Sequence, residues 1–407
     1  MVSASEARRI VLDNLPSLPT ETVGLRESLH RSLAVDIIAT ADIPPFDNSS
    51  MDGFALRAAD TIGASKGQPV KLRLRGEVKA GDVLTEPLQP GESVRIMTGG
   101  MIPPGADAVL EQESAVLEGD SVHLEVPLST GRNLRRKGED IARGATVLRR
   151  GRQLDAASLG VLASLGIARV EVLRRPSVAV LTSGDELIEV EEPLRPGRIR
   201  NSNAYSLCAL VQDDGCEPLD LGMARDDEKD LRDRIRRGLT CDLLITSGGV
   251  SVGTHDLVLK SLKELGVEIK FWKVNIKPGM PMAHGVFRAP SSEVPTLVFA
   301  LPGNPVSTMV TYLQFVRPAL QAMMGRPEGT QAYHLLATLE HDIVKRDGKR
   351  HFSRGILRNE KGRLFVRMTG SQSSGVLSSL VAANCLIIVP EEAGELKSGS
   401  DVEVELL

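Results

Sequence analysis

One segment, residues 241–265, restricts the possible folds of this chain more than any other. Its first part, CDLLI at 241–245, is an apolar run typical of a buried strand, and its last part, 257–265, has apolar residues at helical spacing. The turn between them, TSGGVSVGTHD at 246–256, contains glycines at 248, 249 and 253. Glycine lets the backbone approach a ligand closely, and N–H groups at the start of a helix favour an anion. The segment therefore predicts a strand, a phosphate-binding turn and a helix of an α/β sheet.

The same alternation of strand and helix extends from about residue 176 to residue 325. Strands are predicted at 177–181, 218–221, 241–245, 267–271 and 296–301, and helices at 203–211, 227–239, 257–265 and 306–324. This alternation favours a doubly wound, mostly parallel sheet with helices on both faces.

Two further strands of this sheet end in short loops rich in small polar residues, at 181–187 and at 300–307. Ligands of open α/β sheets bind beyond the carboxyl ends of the strands, so we expect these loops and the 246–256 turn to form one site. None of the three has the spacing of a P-loop or of a dinucleotide fingerprint. The alternative is that they are ordinary turns in which Ser, Asp and Asn only cap helices.

Acidic and basic residues accompany these loops. Asp185, Glu186 and Asp256 could hold a divalent cation that bridges carboxylate and phosphate oxygens, although Asp256 could also serve only the helix that follows it. Lys273 and Lys277 follow a predicted strand near the same edge and are reasonable ligands of a phosphate or oxyanion. These residues indicate phosphate-linked group transfer by positioning and metal electrostatics rather than by a nucleophilic side chain.

The remainder of the chain has the short alternating runs of small β-rich domains. Residues 3–15 predict an amphipathic helix with Ser3 as its N-cap, and the tail predicts a small β-barrel or sandwich. Length alone favours two to four domains, and the strand–helix alternation from about 176 to 325 separates a β-rich part before it from another after it.

Composition excludes several functional classes. The net charge of −4 and the aromatic content of 3% give no reason to expect nucleic-acid binding. No apolar run reaches the ~18 residues of a membrane-spanning helix, and the first residues do not resemble a signal peptide. The four cysteines are scattered and form no metal-binding motif, which favours a reducing compartment. We therefore expect a soluble cytoplasmic protein with no nucleic-acid or membrane partner.

A series of motifs runs in order along nearly the whole chain. They are PPFDNSSMDGF at 44–54, RIMTGG at 95–100, PGADAV at 104–109, GRNLRRKGED at 131–140, TSGDEL at 182–187, the 246–256 turn, KPG at 277–279, LPGNPVS at 301–307 and TGSQSSG at 369–375. Together they resemble the molybdopterin molybdenumtransferase family, which is MoeA-like and related to the E domain of gephyrin.

The resemblance implies an enzyme of molybdenum cofactor biosynthesis. Such an enzyme inserts molybdate into adenylylated molybdopterin and releases AMP with the help of Mg²⁺. The resemblance also implies an elongated four-domain subunit that acts as a homodimer. Its domains would be an N-terminal domain formed by 1–43 and 141–175, a β-rich domain inserted into it at 44–140, an α/β domain at 176–328 and a C-terminal β-barrel at 329–407. The molybdopterin-binding α/β domain of one protomer would face the 44–140 region of the other across a shared active site. A molybdopterin adenylyltransferase and molybdoenzyme acceptors are the implied partners.

The resemblance assigns roles to individual residues. The candidates for catalysis are Asp52, Glu186, Asp256, Lys273 and Lys277. Glu186 and Asp256 would also hold Mg²⁺, while Asp52 and Thr98 would reach the substrate from the partner protomer. The candidates for substrate binding are Thr98, Ser183, Gly184, Ser247, Gly248, Gly249, Ser251, Pro302, Gly303, Asn304, Ser307, Arg354 and Ser374.

The chain departs from the family pattern at Met280. Many relatives have KPGKP where this chain has KPGMP at 277–281, so one cation is missing from the expected oxyanion site. Two alternatives therefore stay open beside the enzyme. One is a divergent pterin-phosphate paralogue with altered metal choice, such as tungstate, and the other is a non-catalytic dimeric scaffold.

Overall fold

The computed structural model describes residues 1–79, 81–225, 227–249, 257–290, 294–326 and 334–407. These residues form two compact units. The larger unit comprises Met1–Thr22, His30–Ala34 and Glu171–Leu407, and the smaller unit comprises Val23–Leu29 and Val35–Val170. No helix within the described ranges is both long enough and apolar enough to cross a membrane.

The smaller unit is built around a six-stranded sheet. In sheet order the strands are Ala108–Glu111, Gly53–Leu56, Glu92–Ile96, Val70–Val78, Ser121–Leu124 and Ala115–Glu118. Val70–Val78 and Glu92–Ile96 pair in parallel, and the other neighbours are antiparallel. Phe54 and Leu56 are fully buried in its core. The β-rich character predicted for this part of the chain is confirmed.

Short elements complete the chain before residue 175. Paired strands are Thr20–Gly24 with Arg169–Leu173, Ile37–Ile38 with Thr146–Leu148, and Asn48–Ser49 with Leu134–Arg135. The helices are Ala4–Leu12, Leu25–Ser28, Ala58–Thr61, Gln112–Ser114 and Ala156–Ser164. Ser3 caps the first of them as predicted, because its Oγ accepts a hydrogen bond from the N–H of Glu6 at 3.1 Å.

The larger unit contains the predicted α/β sheet. Its strands lie in the order Glu217–Ala224, Ser177–Ser183, Leu243–Ser247, Thr296–Leu301, Ala283–Phe287 and Glu268–Trp272. All run in one direction except Ala283–Phe287, so the expected mostly parallel sheet is confirmed. The sequence did not predict this reversed strand, which is short and carries a glycine. Gly285 is required there because a Cβ would lie 2.9 Å from the carbonyl oxygen of Glu268 on the next strand.

Both faces of this sheet are buried. Along one strand, Val178 and Val180 belong to one hydrophobic core and Ala179 and Leu181 to another, as the alternation of side chains across a strand requires. The covering helices are Ser202–Asp213, Glu228–Gly238, Leu257–Glu264, Pro305–Thr311 and Arg317–Met323. The doubly wound arrangement follows from these two cores.

The helix predicted at 306–324 is interrupted. Pro305–Thr311 and Arg317–Met323 are α-helical, but Tyr312–Val316 between them is a π-helical turn. Pro318 has no N–H, and its ring crowds the carbonyl of Gln314 one turn earlier, which accounts for the local widening of the helix.

The C-terminal part of the larger unit is a β-barrel. Its strands are Ile276–Lys277, His334–Leu339, Arg350–Glu360, Arg363–Met368, Cys385–Val389 and Asp401–Leu406. Arg350–Glu360 pairs with both Arg363–Met368 and Cys385–Val389, which closes five of the strands into a ring. The prediction of a barrel or sandwich is thereby resolved in favour of the barrel. Ile276–Lys277 adds to its edge and brings the KPG motif against the barrel.

The remaining elements are short. Leu187–Ile188 pairs with Ile199–Arg200, Ile343–Val344 pairs with Glu395–Leu396, and Ser378–Val381 is a single helical turn.

The central strand begins two residues later than predicted because of Asp242. Its carboxylate forms two hydrogen bonds with the guanidinium of Arg174, at 2.7 and 2.9 Å, and accepts the N–H of Ser177 at 2.7 Å. Burial opposes ionisation of Asp242, but the hydrogen bonds from Arg174 and Ser177 outweigh it and lower the pKa of the carboxyl. Asp242, a polar residue within the apolar run 241–245, therefore fixes the start of the strand through its ion pair with Arg174.

We expect Asp242→Asn to lower stability by about 2–4 kcal/mol at neutral pH, because it leaves Arg174 without its carboxylate. The pKa of Asp242 is lower in the folded state than in the unfolded state. The parent should therefore exceed the variant in free energy of unfolding by the full amount above the unfolded pKa of about 3.9, and this difference should disappear as the pH falls through the folded pKa. Thermal unfolding from pH 7 to pH 3 measures this difference. The exposed pair of Arg9 with Asp13 is the control, and Asp13→Asn should change stability by less than about 1 kcal/mol. Equal stability of Asp242→Asn and the parent at pH 7 would contradict the assignment.

Candidate active site

Three strands of the α/β sheet end side by side at one edge. In the parallel register, Thr182 lies level with Ser247, and Ser247 lies level with Leu301. The loops that follow these strands therefore begin at neighbouring positions, which is the arrangement that places ligands at the carboxyl edge of such sheets.

Gly248 brings two of these loops into contact. Its φ of 96° lies in the left-handed region that favours glycine. A Cβ at Gly248 would overlap the carbonyl oxygen of Ser183, and a Cβ at Gly303 would lie 3.6 Å from the Cα of Gly248. A side chain at Gly248 therefore does not fit between the first two loops, and Gly303 brings the third loop within ordinary van der Waals distance of Gly248.

Asn203, at the start of helix Ser202–Asp213, holds two of these loops together. Its Nδ2 donates to the Oγ of Ser247 at 2.9 Å and to the carbonyl oxygen of Gly303 at 2.8 Å. Thr308 adds a hydrogen bond from its Oγ1 to the carbonyl oxygen of Pro302 at 2.6 Å. Asn203 was not predicted, because an Asn at the start of a helix ordinarily acts as a cap.

Several buried polar atoms at this edge lack a partner within the described residues. They are the hydroxyl oxygens of Ser183 and Thr246 and the amide oxygen of Asn203. Buried polar groups are normally hydrogen-bonded, so these atoms are available to a ligand or to the rest of the 246–256 turn.

Only two of the three acidic candidates lie among the described residues. Asp185 and Glu186 are exposed in the first loop, and the carboxylate of Glu186 lies 2.5–2.8 Å from where a Cβ of Gly184 would be. Ser251 and Asp256 lie outside the described residues. Within those residues no group of three or more His, Cys, Asp or Glu side chains is placed to hold a metal. Mg²⁺ commonly binds one or two carboxylates together with phosphate oxygens and water, and the carboxylates of this loop fit that requirement.

A cavity of about 400 Å³ lies between the third loop and the barrel. Its lining includes Lys277, Asn304, Ser307 and Ser374, and no Asp or Glu of the described residues lines it. The Nδ2 of Asn304 donates to the Oγ of Ser374 at 3.1 Å, and the N–H of Val306 donates to the carbonyl oxygen of Ser374 at 3.2 Å. Five of the predicted site residues, the four named above and Pro302, therefore share one cavity, whose lining favours an anion.

Lys349 is a cation of this cavity that the sequence did not predict. Its Nζ lies 3.3 Å from the Sδ of Met280, and both residues line the cavity beside Lys277. The carbonyl oxygen of Lys349 accepts from the buried ammonium of Lys345 at 2.6 Å, which fixes this turn. Lys349 therefore brings to this cavity the positive charge that Met280 does not supply.

Lys277 has an acidic neighbour outside that lining. Its Nζ lies 3.4 Å from Asp347, whose carboxylate also contacts Nε2 of His351 at 2.9 and 3.0 Å. Burial opposes ionisation of Asp347, but the hydrogen bond from His351, the N–H of Lys349 and the charge of Lys277 lower its pKa to about 2. Lys277 therefore faces a carboxylate that is ionised at neutral pH.

Arg354 is only 1% exposed and supports the loop that carries Ser374. Its guanidinium donates to the Oγ of Ser379 at 3.0 Å and to the carbonyl oxygens of Ser373 and Ser371 at 3.1 and 3.4 Å. Burial lowers the pKa of Arg354. It also lines a second cavity, of about 230 Å³, which shares Lys277 with the first.

Lys273 is not among the residues that line either of these cavities. Its Nζ lies 4.2 Å from the centre of the Trp272 ring, a cation–π contact. Its φ of 69° is in the left-handed region, which is uncommon for a residue with a side chain.

In the smaller unit, Asp52 and Thr98 form a second candidate site. One carboxylate oxygen of Asp52 accepts both the N–H and the Oγ1–H of Thr98, each at 2.7 Å. These two hydrogen bonds lower the pKa of Asp52. Gly53 is required next to it, because a Cβ there would overlap the carbonyl oxygen of Leu110. The two residues predicted to act together are thus in direct contact.

Comparisons with known proteins match this architecture along its whole length. Family models match residues 2–166 (MoeA N-terminal region, domains I and II), 179–322 (probable molybdopterin binding domain) and 337–407 (MoeA C-terminal region, domain IV). The chain is 39% identical over 411 residues to "Molybdopterin molybdenumtransferase" of Haemophilus influenzae, with 100% of this chain and 98% of that protein covered. This chain belongs to the MoeA family.

Other members of the MoeA family are similar to this chain in sequence and in structure. "Molybdopterin molybdenumtransferase 2" of Mycobacterium tuberculosis is 37% identical, with 99% of each chain covered. The crystal structure of the molybdopterin biosynthesis moeA protein from Pyrococcus horikoshii OT3 has a TM-score of 0.85 at 33% identity, with 100% of both chains covered. The resemblance drawn from the motifs is confirmed.

Proposed function

We propose that this chain is a molybdopterin molybdenumtransferase, which inserts molybdate into adenylylated molybdopterin and releases AMP in molybdenum cofactor biosynthesis. One observation carries the proposal: three glycine-containing loops at the edge of the α/β sheet lie next to a cavity that is lined by two lysines and therefore favours an anion. A phosphate-linked pterin and an oxyanion need that pair of neighbouring sites. The names of the full-length relatives favour this enzyme over the tungstate paralogue and the scaffold.

The loops would bind the phosphate end of the substrate. Ser183, Gly184, Ser247, Gly248, Gly249, Ser251, Pro302 and Gly303 are the proposed binding residues. Backbone N–H groups and hydroxyls at this edge would donate to phosphate oxygens. Asn203 acts through them as a positioning residue, because it holds two of the loops at a fixed separation.

The cavity would bind molybdate. Lys277 and Lys349 would supply its positive charge, with Asn304, Ser307 and Ser374 as hydrogen-bonding groups. Arg354 would keep Ser374 in place. Lys273 would contribute positive charge to the phosphate from its position over Trp272.

Glu186 and Asp256 would hold Mg²⁺, which would neutralise phosphate charge when bound. Their carboxylates would also orient the water that attacks the adenylate phosphate and accept its proton as AMP leaves. The proposed source of the substrate is a molybdopterin adenylyltransferase, and molybdoenzymes would receive the product in the cytoplasm.

The direct test supplies the purified protein with adenylylated molybdopterin, molybdate and Mg²⁺ and follows AMP by chromatography and molybdenum by mass spectrometry. We expect about one AMP per molybdenum inserted. Glu186→Gln and Asp256→Asn should keep substrate binding and lower AMP release by about 100-fold. Glu191→Gln, an exposed neighbour in the chain, is the control. AMP release without molybdenum insertion would contradict the proposed activity, and so would the absence of both AMP release and insertion.

Asp52 and Thr98 would serve the active site of a second protomer, so we also propose a homodimer. Asp52→Asn keeps an acceptor for Thr98 but removes the charge, and we expect turnover to fall by at least about 10-fold. Asp60, whose carboxylate accepts the N–H of Gly91 at 2.8 Å, is a matched control, and Asp60→Asn should retain activity.

Mixed dimers test the sharing of the site. Asp52→Asn and Lys277→Ala protomers, each strongly impaired alone, should together regain about a quarter of the parent activity when they are refolded as a mixture. Half of the dimers would then be hybrids, each with one intact site of two. No recovery in a mixture that contains hybrid dimers would contradict a shared site while leaving the proposed reaction untouched.

A further inference from the structure

A small cavity in the larger unit is formed by residues that take no part in the loops described above. Its volume is about 20 Å³, and its walls include Arg31, Ser32, Arg174, Arg175 and Arg326. About 10–15 Å³ is enough for one occupant the size of a water molecule. Among the described residues no Asp or Glu lines this cavity.

Two buried polar atoms in the walls have no hydrogen-bond partner within the described part of the chain. They are the Oγ of Ser32 and the Nε of Arg326, in residues that are 2% and 6% exposed. The other nitrogens of Arg326 donate to the carbonyl oxygens of Asp214 and His30, at 3.2 and 3.1 Å. The Nε–H of Arg326 can only donate and the hydroxyl of Ser32 can donate or accept, so an acceptor in the cavity would satisfy both groups.

The positive charges around the cavity are only partly compensated. Arg174 is paired with Asp242, and Arg31 forms an ion pair with Glu21. Arg175 and Arg326 form no ion pair with a carboxylate of the described residues. The carboxylate of Asp214, near Arg326, is already bound by Arg317 at 2.8 Å and by the hydroxyl of Tyr312 at 2.7 Å.

We propose that this cavity binds one inorganic anion of about the size of chloride. The Nε–H of Arg326 and the hydroxyl of Ser32 donate to it, and the guanidinium of Arg175 offsets its charge. A water molecule would accept the same hydrogen bonds but would add no negative charge beside Arg175 and Arg326, which is why the anion is favoured. The anion joins the segment His30–Ala34 to Arg326, which lies three residues after the end of helix Arg317–Met323, so it stabilises the larger unit.

Thermal unfolding of the full chain at constant ionic strength tests this binding. Chloride is raised from 1 to 200 mM by replacing gluconate, which is too large for the cavity. We expect the melting temperature to rise by about 2–6 °C with a saturable dependence, and bromide to act similarly. A melting temperature that does not depend on which anion is present would overturn the proposal in favour of water.

Single substitutions test whether the chloride dependence of the melting temperature arises at this cavity. Arg175→Met and Ser32→Ala remove one contact each without emptying the Arg326 site, and both should weaken the chloride dependence at least about 3-fold in apparent Kd. Arg326→Met should abolish the dependence if the chain still folds. Arg149→Met, at an exposed arginine elsewhere, should leave it unchanged. Chloride dependence that is unaltered in Arg175→Met and Ser32→Ala would overturn the assignment.

A crystal soaked in bromide gives an independent result. We expect an anomalous peak within hydrogen-bond distance of the Nε of Arg326 and the Oγ of Ser32. Density there without an anomalous signal would identify water and overturn the proposal. Neither experiment depends on turnover, so both stand apart from the proposed enzymatic activity.

Discussion

Gly248→Ala is expected to lower kcat/KM for AMP release by at least about 100-fold, because a displacement of about 1 Å at a reacting site has that effect. The new Cβ would overlap the carbonyl oxygen of Ser183 in the neighbouring loop, at a φ of 96°. The two loops must then separate, and the proposed phosphate-binding groups move with them. The measurement is steady-state AMP release, with circular dichroism to confirm that the sheet remains folded.

Gly399→Ala is the matched control for this change. Its φ of 85° imposes similar backbone strain, but nothing lies within 4 Å of the added Cβ. Both variants should lose about 1–2 kcal/mol of stability through the left-handed backbone, and only Gly248→Ala should lose activity. Comparable activity in the two variants would show that close contact of the loops is not needed for function.

Asn203→Asp is expected to lower kcat/KM by about 10–100-fold at neutral pH. The change replaces an amide that donates to Ser247 and Gly303 with a carboxylate, which cannot donate and repels the carbonyl oxygen of Gly303. A protonated carboxyl can donate one hydrogen bond. The deficit relative to the parent should therefore narrow as the pH falls and widen as it rises, and the ratio of the two pH profiles measures it.

Asn384→Asp is the corresponding control. The Nδ2 of Asn384 donates to the carbonyl oxygen of Leu357 at 2.8 Å in the barrel, so this variant makes the same chemical change outside the candidate site. It should retain activity across the pH range. A pH-independent loss of activity in Asn203→Asp would argue that the residue is needed for folding alone and does not hold the loops.

The sequence predicted the architecture well where side-chain periodicity is strong. The apolar runs that became Ser177–Ser183, Leu243–Ser247 and Thr296–Leu301 are buried on both faces of the sheet, and such runs are distinctive in sequence. The reversed strand Ala283–Phe287 was missed because its alternation is short and includes a glycine. Its position depends on pairing with strands at both sides.

The candidate site was predicted in its loops but not in the groups that join them. Gly248 and Gly303 could be picked out because a glycine between a strand and a helix usually marks a left-handed turn or a close approach of backbone. Asn203 and Lys349 could not, since an Asn at a helix start and a Lys in a surface turn each have an ordinary role. Their significance comes from contacts with residues far away in the sequence.

The sequence by itself determined where the parallel strands of the α/β sheet and their loops lie along the chain, the family and the chemical types of residue at the site. These follow from local periodicity and from short motifs, which need no knowledge of distant neighbours. Only the tertiary structure decided that Lys349 stands against Met280, that Arg354 is a buried support and that Ser32 and Arg326 share a cavity. Each of these depends on segments brought together by sheet pairing and barrel closure, which local patterns do not encode.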